Sequence, residues 1–138
     1  MGQARVRFPV RWEDGGVLVV QVVGRFDADA AAELGALMAR LDATGQSGLV
    51  VDFQDAEHCG ADGATKFVEA GLAMAASGGA LAVVADAAEQ AVLRAAGAER
   101  LPLGVHDDVA GALEEVSSWS ADTLGDRDAD AGSGSALR

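Results

Sequence analysis

Short apolar segments alternate with amphipathic segments along most of this chain, and that alternation limits its possible folds more than any other feature. Val17 to Val23 is apolar except at Gln21, which is typical of a strand buried on both faces. Five segments have the character of β-strands: 6–12, 17–23, 49–53, 80–85 and 101–106. Amphipathic segments with the helical period follow the second strand and each later one. The order β-β-α-β-α-β-α-β-α predicts an α/β fold, a mostly parallel sheet of about five strands with about four helices.

The first strand segment alternates strictly between apolar and polar residues. Its apolar positions define one face: Val6, Phe8, Val10 and Trp12. This period of two predicts a strand with one wet face, and Pro9 indicates a sheet edge, where its missing N–H does no harm. Glu13-Asp14-Gly15-Gly16 is typical of a hairpin turn, so we expect an antiparallel N-terminal edge hairpin. The arginines on the polar face (Arg5, Arg7 and Arg11) either protect this edge against aggregation or dock an acidic partner.

Capping and breaking residues mark where the predicted helices begin and end. Aspartates are the candidate N-caps of three helices: Asp27 or Asp29, Asp86, and Asp107 or Asp108. Asp86-Ala87-Ala88-Glu89 also matches a capping box. Gly78-Gly79 ends the second helix and Thr44-Gly45-Gln46 ends the first. In the last helix an apolar stripe is expected to face inward: Val109, Ala112, Leu113 and Val116.

The composition bounds the class of protein. Half of the 138 residues are hydrophobic, which is too apolar for a disordered chain, so residues 1–120 are expected to form one domain. Residues 121–138 are dominated by Asp, Gly, Ser and Ala without an apolar stripe, and this acidic tail is predicted to be disordered. The net charge of -12 disfavours binding to nucleic acid and to anionic membranes. No apolar run is long enough to span a bilayer, and we expect a cytoplasmic protein without direct membrane insertion.

Three short segments of the chain resemble those of a known family. Gly24-Arg25-Phe26-Asp27-Ala28, followed by Glu33-Leu34, resembles the Gly-x-Leu-Asp…Glu-Leu signature of STAS domains, the family of anti-sigma factor antagonists. Val50-Val51-Asp52-Phe53 resembles their central strand, and residues 95–101 resemble the segment before their last strand. The match covers about residues 5–118. The resemblance implies a STAS fold and a non-catalytic, cofactor-free domain, monomeric or weakly dimeric. Its implied partner is an anti-sigma factor that is also a histidine-kinase-like serine kinase.

The phosphorylation motif of this family is degenerate here. The family pattern Asp-Ser-Ser-Gly-Leu falls on Gly60-Ala61-Asp62-Gly63-Ala64, and only the glycine matches. The phospho-acceptor position is Ala61, which has no hydroxyl, and Thr65 is the nearest one. Two interpretations of Asp62 stay open. It either caps the helix that starts near it, since Asp is among the best N-cap residues, or serves as a permanent phosphate-like charge.

The predicted binding surface lies where strand-to-helix loops collect. In parallel sheets these loops meet at the carboxyl ends of the strands, where ligands and partners bind. The resemblance and this geometry together select the candidate partner-binding residues: Asp27, Glu57, His58, Gly60, Ala61, Asp62, Gly63 and Ala64. Asp86 is a further candidate for the same surface.

Two other functions are weighed against partner binding. An accessory STAS subunit of a lipid-transport ABC system would use the same helix surface without phosphorylation. A small hydrolase could use His58, Cys59 or Asp62 as nucleophile, base or metal ligand. Neighbouring residues in a strand-like segment point their side chains apart, however, so we expect a partly buried His58 and Cys59 without chemistry and no metal site. The single cysteine also excludes an intramolecular disulfide.

Overall fold

The computed structural model describes residues 6–13, 16–42 and 48–119. Its strands are β1 (Val10–Glu13), β2 (Val17–Gln21), β3 (Gly24–Phe26), β4 (Gly48–Asp52), β5 (Ala56–Cys59), β6 (Leu81–Val84) and β7 (Val105–His106). Its helices are α1 (Ala28–Asp42), α2 (Ala61–Ala76), α3 (Ala87–Ala95) and α4 (109–119), with a 3-10 turn at Ala98–Arg100. Asp14-Gly15, Thr44-Gly45-Gln46, Arg5 and the tail 121–138 lie outside the described residues. Among those described, no helix has the length and apolar character that crossing a membrane requires.

The main sheet has the predicted architecture. Its strand order is β1-β2-β4-β6-β7, with β2, β4, β6 and β7 parallel and β1 antiparallel at one edge. Every residue of β4 and β6 is buried, and β2 is buried up to Gln21. The α/β class, the mostly parallel sheet of five strands and the antiparallel N-terminal edge are confirmed. The last strand is shorter than predicted, because Leu101 packs into the core from the 3-10 turn instead of extending the sheet.

A second, two-stranded sheet was not predicted. The strands β3 and β5 pair in parallel with each other, in the register Phe26 to Cys59, and do not join the main sheet. The sequence pattern ends the second strand at residues 24–27 and predicts a loop over residues 54–60. Strands of three and four residues are too short to show a period of two, so sequence patterns do not reveal them.

The two faces of the main sheet carry separate cores. The helices α1, α2 and α3 cover one face, where three phenylalanine rings pack edge to face: Phe26, Phe53 and Phe67. Their centroids are 5.0, 5.1 and 6.4 Å apart. The helix α4 covers the other face with its predicted stripe, in which Ala112 and Val116 are fully buried. The arrangement buries both faces of the parallel strands, as their apolar sequences require.

Three predicted helix caps are confirmed. The Asp27 carboxylate accepts the Ala30 N–H at 2.9 Å and begins α1. Asp86 and Glu89 form the capping box of α3, and Asp108 caps α4 through the Gly111 N–H at 2.8 Å. At the end of α2, Gly78 has φ +93°, and the bonds from Gly78 to Ala75 and from Gly79 to Met74 complete the glycine termination.

The N-terminal strand departs from its predicted environment. Val6 and Phe8 pack against the core, but Val10 and Trp12 on the same face are 41% and 63% exposed. Pro9 lies on the edge strand as predicted, yet its nitrogen faces β2, because the Gln21 N–H donates to the Pro9 oxygen at 2.9 Å. The ladder between β1 and β2 therefore lacks the hydrogen bond that an N–H at residue 9 would donate. Pro9 does not remove any of the N–H groups that face away from β2.

Candidate functional site

The candidate site is a surface depression where the first turns of α1 and α2 meet. It has a volume of about 400 Å³. Its lining comes from the ends of β3 and β5 and the helices that follow them: Arg25, Asp27, Ala28, Asp29, His58, Gly60, Ala61, Asp62 and Gly63. Six of the eight residues predicted for partner binding line this one depression. Arg25, Ala28 and Asp29 complete the lining. Arg25 and Ala28 belong to the matched segment 24–28 and Asp29 is a cap candidate, but the sequence does not predict any of the three for the site.

The unpredicted pairing of β3 with β5 builds this site. Because the two strands run in parallel and end together at Phe26 and Cys59, the helices that follow them start side by side. The Gly60 N–H donates to the Phe26 oxygen at 3.4 Å, which ties the start of α2 to the end of β3. The same register places Arg25 opposite His58, so two basic side chains share the rim with the acidic ones.

Gly63, the one residue here that matches the family pattern, has a steric role. A β-carbon at this position would lie 2.9 Å from the Phe26 oxygen and 3.0 Å from the Asp27 oxygen. Real β-carbons essentially never come as close to another atom as the first of these distances, and the second is also unusually tight. Only glycine therefore lets the first turn of α2 rest directly on the β3–α1 junction, and that contact holds the two helix ends together.

The helix α2 begins two residues earlier than it would if Asp62 were its N-cap. Its N-cap is Gly60, with φ −81° and ψ 163°, and no side chain caps it. Of the two interpretations left open for Asp62, the one as N-cap is wrong. Because β5 leads directly into the helix, the first helical bond already runs from the Ala64 N–H to the Gly60 oxygen. Asp62 is an exposed residue of the first turn, where its charge faces the positive end of the helix dipole.

Ala61 is the first residue of α2 and borders two surface features. It lines the polar depression described above and also an apolar groove between α2 and α3. The groove has a volume of about 350 Å³ and is lined by small and apolar residues with a single hydroxyl: Ala61, Thr65, Ala91, Val92, Ala95 and Ala96. The exposed methyl group of Ala61 therefore lies at the junction of a charged and an apolar surface.

Two of the predicted site residues do not line either surface. Glu57 is exposed on β5, outside the depression. Ala64 is fully buried and faces the core, so it supports the first turn of α2 from beneath. Asp86 is engaged in capping α3 and lies outside the lining of both features.

The side chains of His58 and Cys59 point in opposite directions, as expected for neighbours in a strand. His58 is exposed and lines the depression, which corrects the expectation of a partly buried ring. Cys59 is buried, and burial raises the pKa of its thiol to about 11, with a smaller contribution from the Glu89 charge. A protonated, buried thiol is a poor nucleophile. No group of three or more His, Cys, Asp or Glu side chains within the described ranges is arranged to hold a metal ion.

A carboxyl group near this buried thiol has an unusual environment. Burial, and to a lesser extent the charges of Asp86, Asp52 and Asp55, raise the pKa of Glu89 to about 7, although the hydrogen bond from the Asp86 N–H lowers it. Burial also raises the pKa of Asp52, which accepts the Gln54 N–H at 2.9 Å. Negative charge is therefore crowded around the start of α3, beside the apolar groove.

Comparisons with known proteins identify the fold. No protein-family model matches the sequence, and no curated protein is significantly similar to it. Solved structures do match. A variant of RsbS from Moorella thermoacetica superposes with a TM-score of 0.69 at 15% identity, over 83% of this chain and 98% of that one. An anti-sigma factor antagonist from Mycobacterium paratuberculosis has a TM-score of 0.63 at 23% identity, over 83% and 97% of the two chains.

A further match is the anti-sigma factor antagonist SpoIIAA in its unphosphorylated form, with a TM-score of 0.56 at 12% identity over 75% of this chain and 90% of that one. The chain therefore has the SpoIIAA-like fold of anti-sigma factor antagonists, which is the STAS fold that the sequence resemblance predicts. At these identities the likeness establishes the fold, and function has to be argued from the site.

Proposed function

We propose that this protein is a non-catalytic, cytoplasmic protein-interaction domain of the anti-sigma factor antagonist type. The observation that carries the proposal is the position of Ala61. It is exposed at the uncapped start of α2, between a charged depression and an apolar groove. A partner that covers both features would bury apolar area in the groove and take specificity from the charges of the depression, which is the usual division of roles in an interface.

The partner that best fits this surface is an anti-sigma factor of the serine-kinase type. The structural likeness to anti-sigma factor antagonists and the matching chain segments support this choice. Ala61 occupies the position of the phospho-acceptor in the family pattern and has no hydroxyl. Such a kinase could bind here but could not switch the complex off by phosphorylating residue 61. Asp62 adds one fixed charge, fewer than a phosphoserine carries.

The charges of the depression favour a basic partner surface. Asp27, Asp29 and Asp62 contribute three carboxylates to its lining, against Arg25 and His58. In a protein of net charge -12 these groups would steer a complementary basic patch toward the site. The rate of association should therefore fall as the ionic strength rises.

The proposal is tested by mixing the protein with candidate anti-sigma factor kinases and ATP. Complex formation is measured by isothermal titration calorimetry, and phosphate incorporation by intact-mass spectrometry. We expect binding without incorporation for the natural sequence, and incorporation for Ala61→Ser. The Ala61→Ser/Thr65→Val variant controls for labelling of the other hydroxyl in the groove. Phosphate on the natural protein would refute the proposal that it has lost regulation by phosphorylation. Failure to bind any such kinase would refute the proposed function.

Ala61 also favours a second candidate, an accessory subunit on the ATPase of a lipid transporter, since that role needs no acceptor hydroxyl. It would use the same helix surface. Binding to an isolated transporter ATPase subunit, lost on Ala61→Glu, together with no binding to kinases would replace the first proposal by the second. A matched charge change on α4, Ala110→Glu, controls for non-specific effects because α4 covers the opposite face of the sheet.

A further inference from the structure

The outer edge of β1 presents an apolar surface that the proposed function does not use. Val10 and Trp12 are the two large hydrophobic residues that stand out as exposed in the described part of the chain. Both lie on β1, the terminal strand of the main sheet, on the face that α1 to α3 cover elsewhere. An edge strand of this kind can pair with another strand, because its outward N–H and C=O groups have no ladder partner.

The hydrogen-bond pattern shows which groups point outward. Arg7 exchanges both backbone bonds with Val23 at 2.9 Å, and Pro9 accepts the bond from Gln21. Backbone groups alternate in direction along a strand, so odd-numbered residues bond to β2. The N–H and C=O groups of Phe8, Val10 and Trp12 therefore face away from the sheet. Since Pro9 is turned toward β2, all three of these outward N–H groups are able to donate.

We propose that two copies of this chain pair antiparallel through this edge, with Val10 opposite Val10 of the second copy. In that register Phe8 lies opposite Trp12 of the second copy, and the three even-numbered positions form hydrogen-bonded pairs. The odd-numbered positions form the close, non-hydrogen-bonded pairs, which place Arg7 opposite Glu13 of the second copy. The symmetry repeats each contact, so the edge is complementary to itself in backbone, charge and apolar surface.

A side chain of the second copy can also occupy a groove beside β1. This groove of about 440 Å³ lies between the N-terminal segment and α1 and is lined by Val6, Phe8, Glu33, Ala36, Leu37 and Arg40. Phe8 faces the groove from the same side of the sheet as Trp12. Because the register sets Trp12 of the second copy opposite Phe8, its indole reaches the mouth of this groove. The dimer thus covers Trp12, the more exposed of the two exposed large hydrophobic residues in the described part of the chain.

Other registers are less favourable for physical reasons. A two-fold axis at Arg11 would put the two Arg11 side chains opposite each other, which is repulsive. A two-fold axis at Trp12 would place the residues before Arg11 opposite the β1–β2 connection of the second copy. Phe8 would then have no strand residue as its partner. The axis at Val10 pairs every position from residue 7 to residue 13, three of them through hydrogen bonds and four at the close positions between those bonds.

The test is analytical ultracentrifugation of the full chain over a concentration series, with Val10→Pro as the decisive variant. Proline at residue 10 removes an outward N–H and leaves the bonds to β2 intact, so the fold should persist, as checked by circular dichroism. We expect a concentration-dependent dimer for the natural sequence and a monomer for Val10→Pro. A monomer at every concentration, or a dimer that Val10→Pro does not weaken, would overturn the proposal.

Charge reversal tests the register and does not depend on the proline variant folding. In the dimer, Glu13→Arg places an arginine opposite Arg7 of the second copy, and the two-fold symmetry repeats this repulsive contact. We therefore expect dimer affinity to fall about tenfold. The double variant Arg7→Glu/Glu13→Arg should restore it. Glu13→Arg also breaks the Arg11–Glu13 ion pair of 2.7 Å, and Arg11→Gln removes that same pair while lying opposite Pro9. A loss of affinity in Arg11→Gln equal to that in Glu13→Arg would exclude this register.

Discussion

Gly63 lies so close to the carbonyl group of Phe26 that a β-carbon at residue 63 would be 2.9 Å from the Phe26 oxygen. The neighbouring Asp27 oxygen would be at 3.0 Å. Both obstacles are backbone atoms of the β3–α1 junction, which the phenylalanine cluster beneath it holds in place. The close approach of α2 to this junction defines the depression, so one glycine links the stability of the fold to the shape of the site.

Gly63→Ala should therefore destabilise the protein. We expect the free energy of unfolding to fall by about 1–3 kcal/mol, the usual cost of forcing an extra carbon into a packed site. Urea denaturation measures this change. The control is Gly35→Ala in the interior of α1, where the nearest atom to a new β-carbon is the Ala70 Cβ at 3.4 Å. That substitution should leave stability unchanged or raise it by about 0.5–1 kcal/mol. Equal effects at the two glycines would contradict this account.

The aspartates of the site should differ in their contributions to stability. Asp27 caps α1 with a hydrogen bond of 2.9 Å, so Asp27→Ala should cost about 0.5–2 kcal/mol while Asp27→Asn, which can still cap, costs little. Asp62 makes no capping bond, and Asp62→Ala should cost less than Asp27→Ala. Urea unfolding of the three variants at neutral pH measures the order. A larger loss for Asp62→Ala would mean that Asp62 caps α2 after all.

Glu89 should make the protein less stable as the pH rises. Burial lifts the pKa of this carboxyl from 4.5 to about 7 in the folded state, so between these values the folded protein holds a proton that the unfolded chain has released. The free energy of unfolding must then decrease with pH across this window. Glu89→Gln, which stays neutral, should gain stability relative to the natural protein between pH 5 and about pH 7. A difference between the two proteins that does not change with pH would show that Glu89 does not titrate in this range.

Cys59 should react slowly with thiol reagents in the folded protein. Its thiol is buried, and its pKa is raised to about 11, so very little thiolate is present at pH 8. Ellman's reagent should modify it at a rate limited by opening of the structure, and immediately in concentrated urea. The variant Cys59→Ala/Thr65→Cys moves the only thiol to an exposed position of α2 and should react rapidly without urea. If the natural protein reacted as fast as this variant, the Cys59 thiol would be accessible and could act as a nucleophile.

The main sheet was predictable because its central strands are apolar throughout. Segments such as Val17–Val23 and Leu49–Phe53 can only be buried, and the order of strands and helices then leaves few topologies. Aspartates at N-cap positions were equally informative, since their capping role is local. The environment of Trp12 was not predictable. Alternation shows which residues share a face, whereas coverage of that face depends on where α1 lies.

The site was predictable in its location but only partly in its construction. The carboxyl ends of parallel strands and the glycine of the matched pattern indicated where α2 begins, and Asp27 was correctly placed beside it. The pairing of β3 with β5 had no signal in the sequence, and Arg25 enters the site only through that pairing. The start of α2 was misplaced by two residues because the cap there is a glycine, Gly60, which carries no side-chain signal.

That glycine cap has an evolutionary consequence. Aspartate side chains begin α1, α3 and α4, whereas α2 starts with Gly60 and no side-chain hydrogen bond. The exposed positions Ala61 and Asp62 that follow therefore provide no capping hydrogen bond to the helix. Selection can exchange the residues there to change partners, or to gain or lose a regulatory hydroxyl, without compensating substitutions elsewhere. Substitutions at these two positions should therefore cost the fold less than substitutions at Gly63, where a β-carbon would meet the Phe26 oxygen.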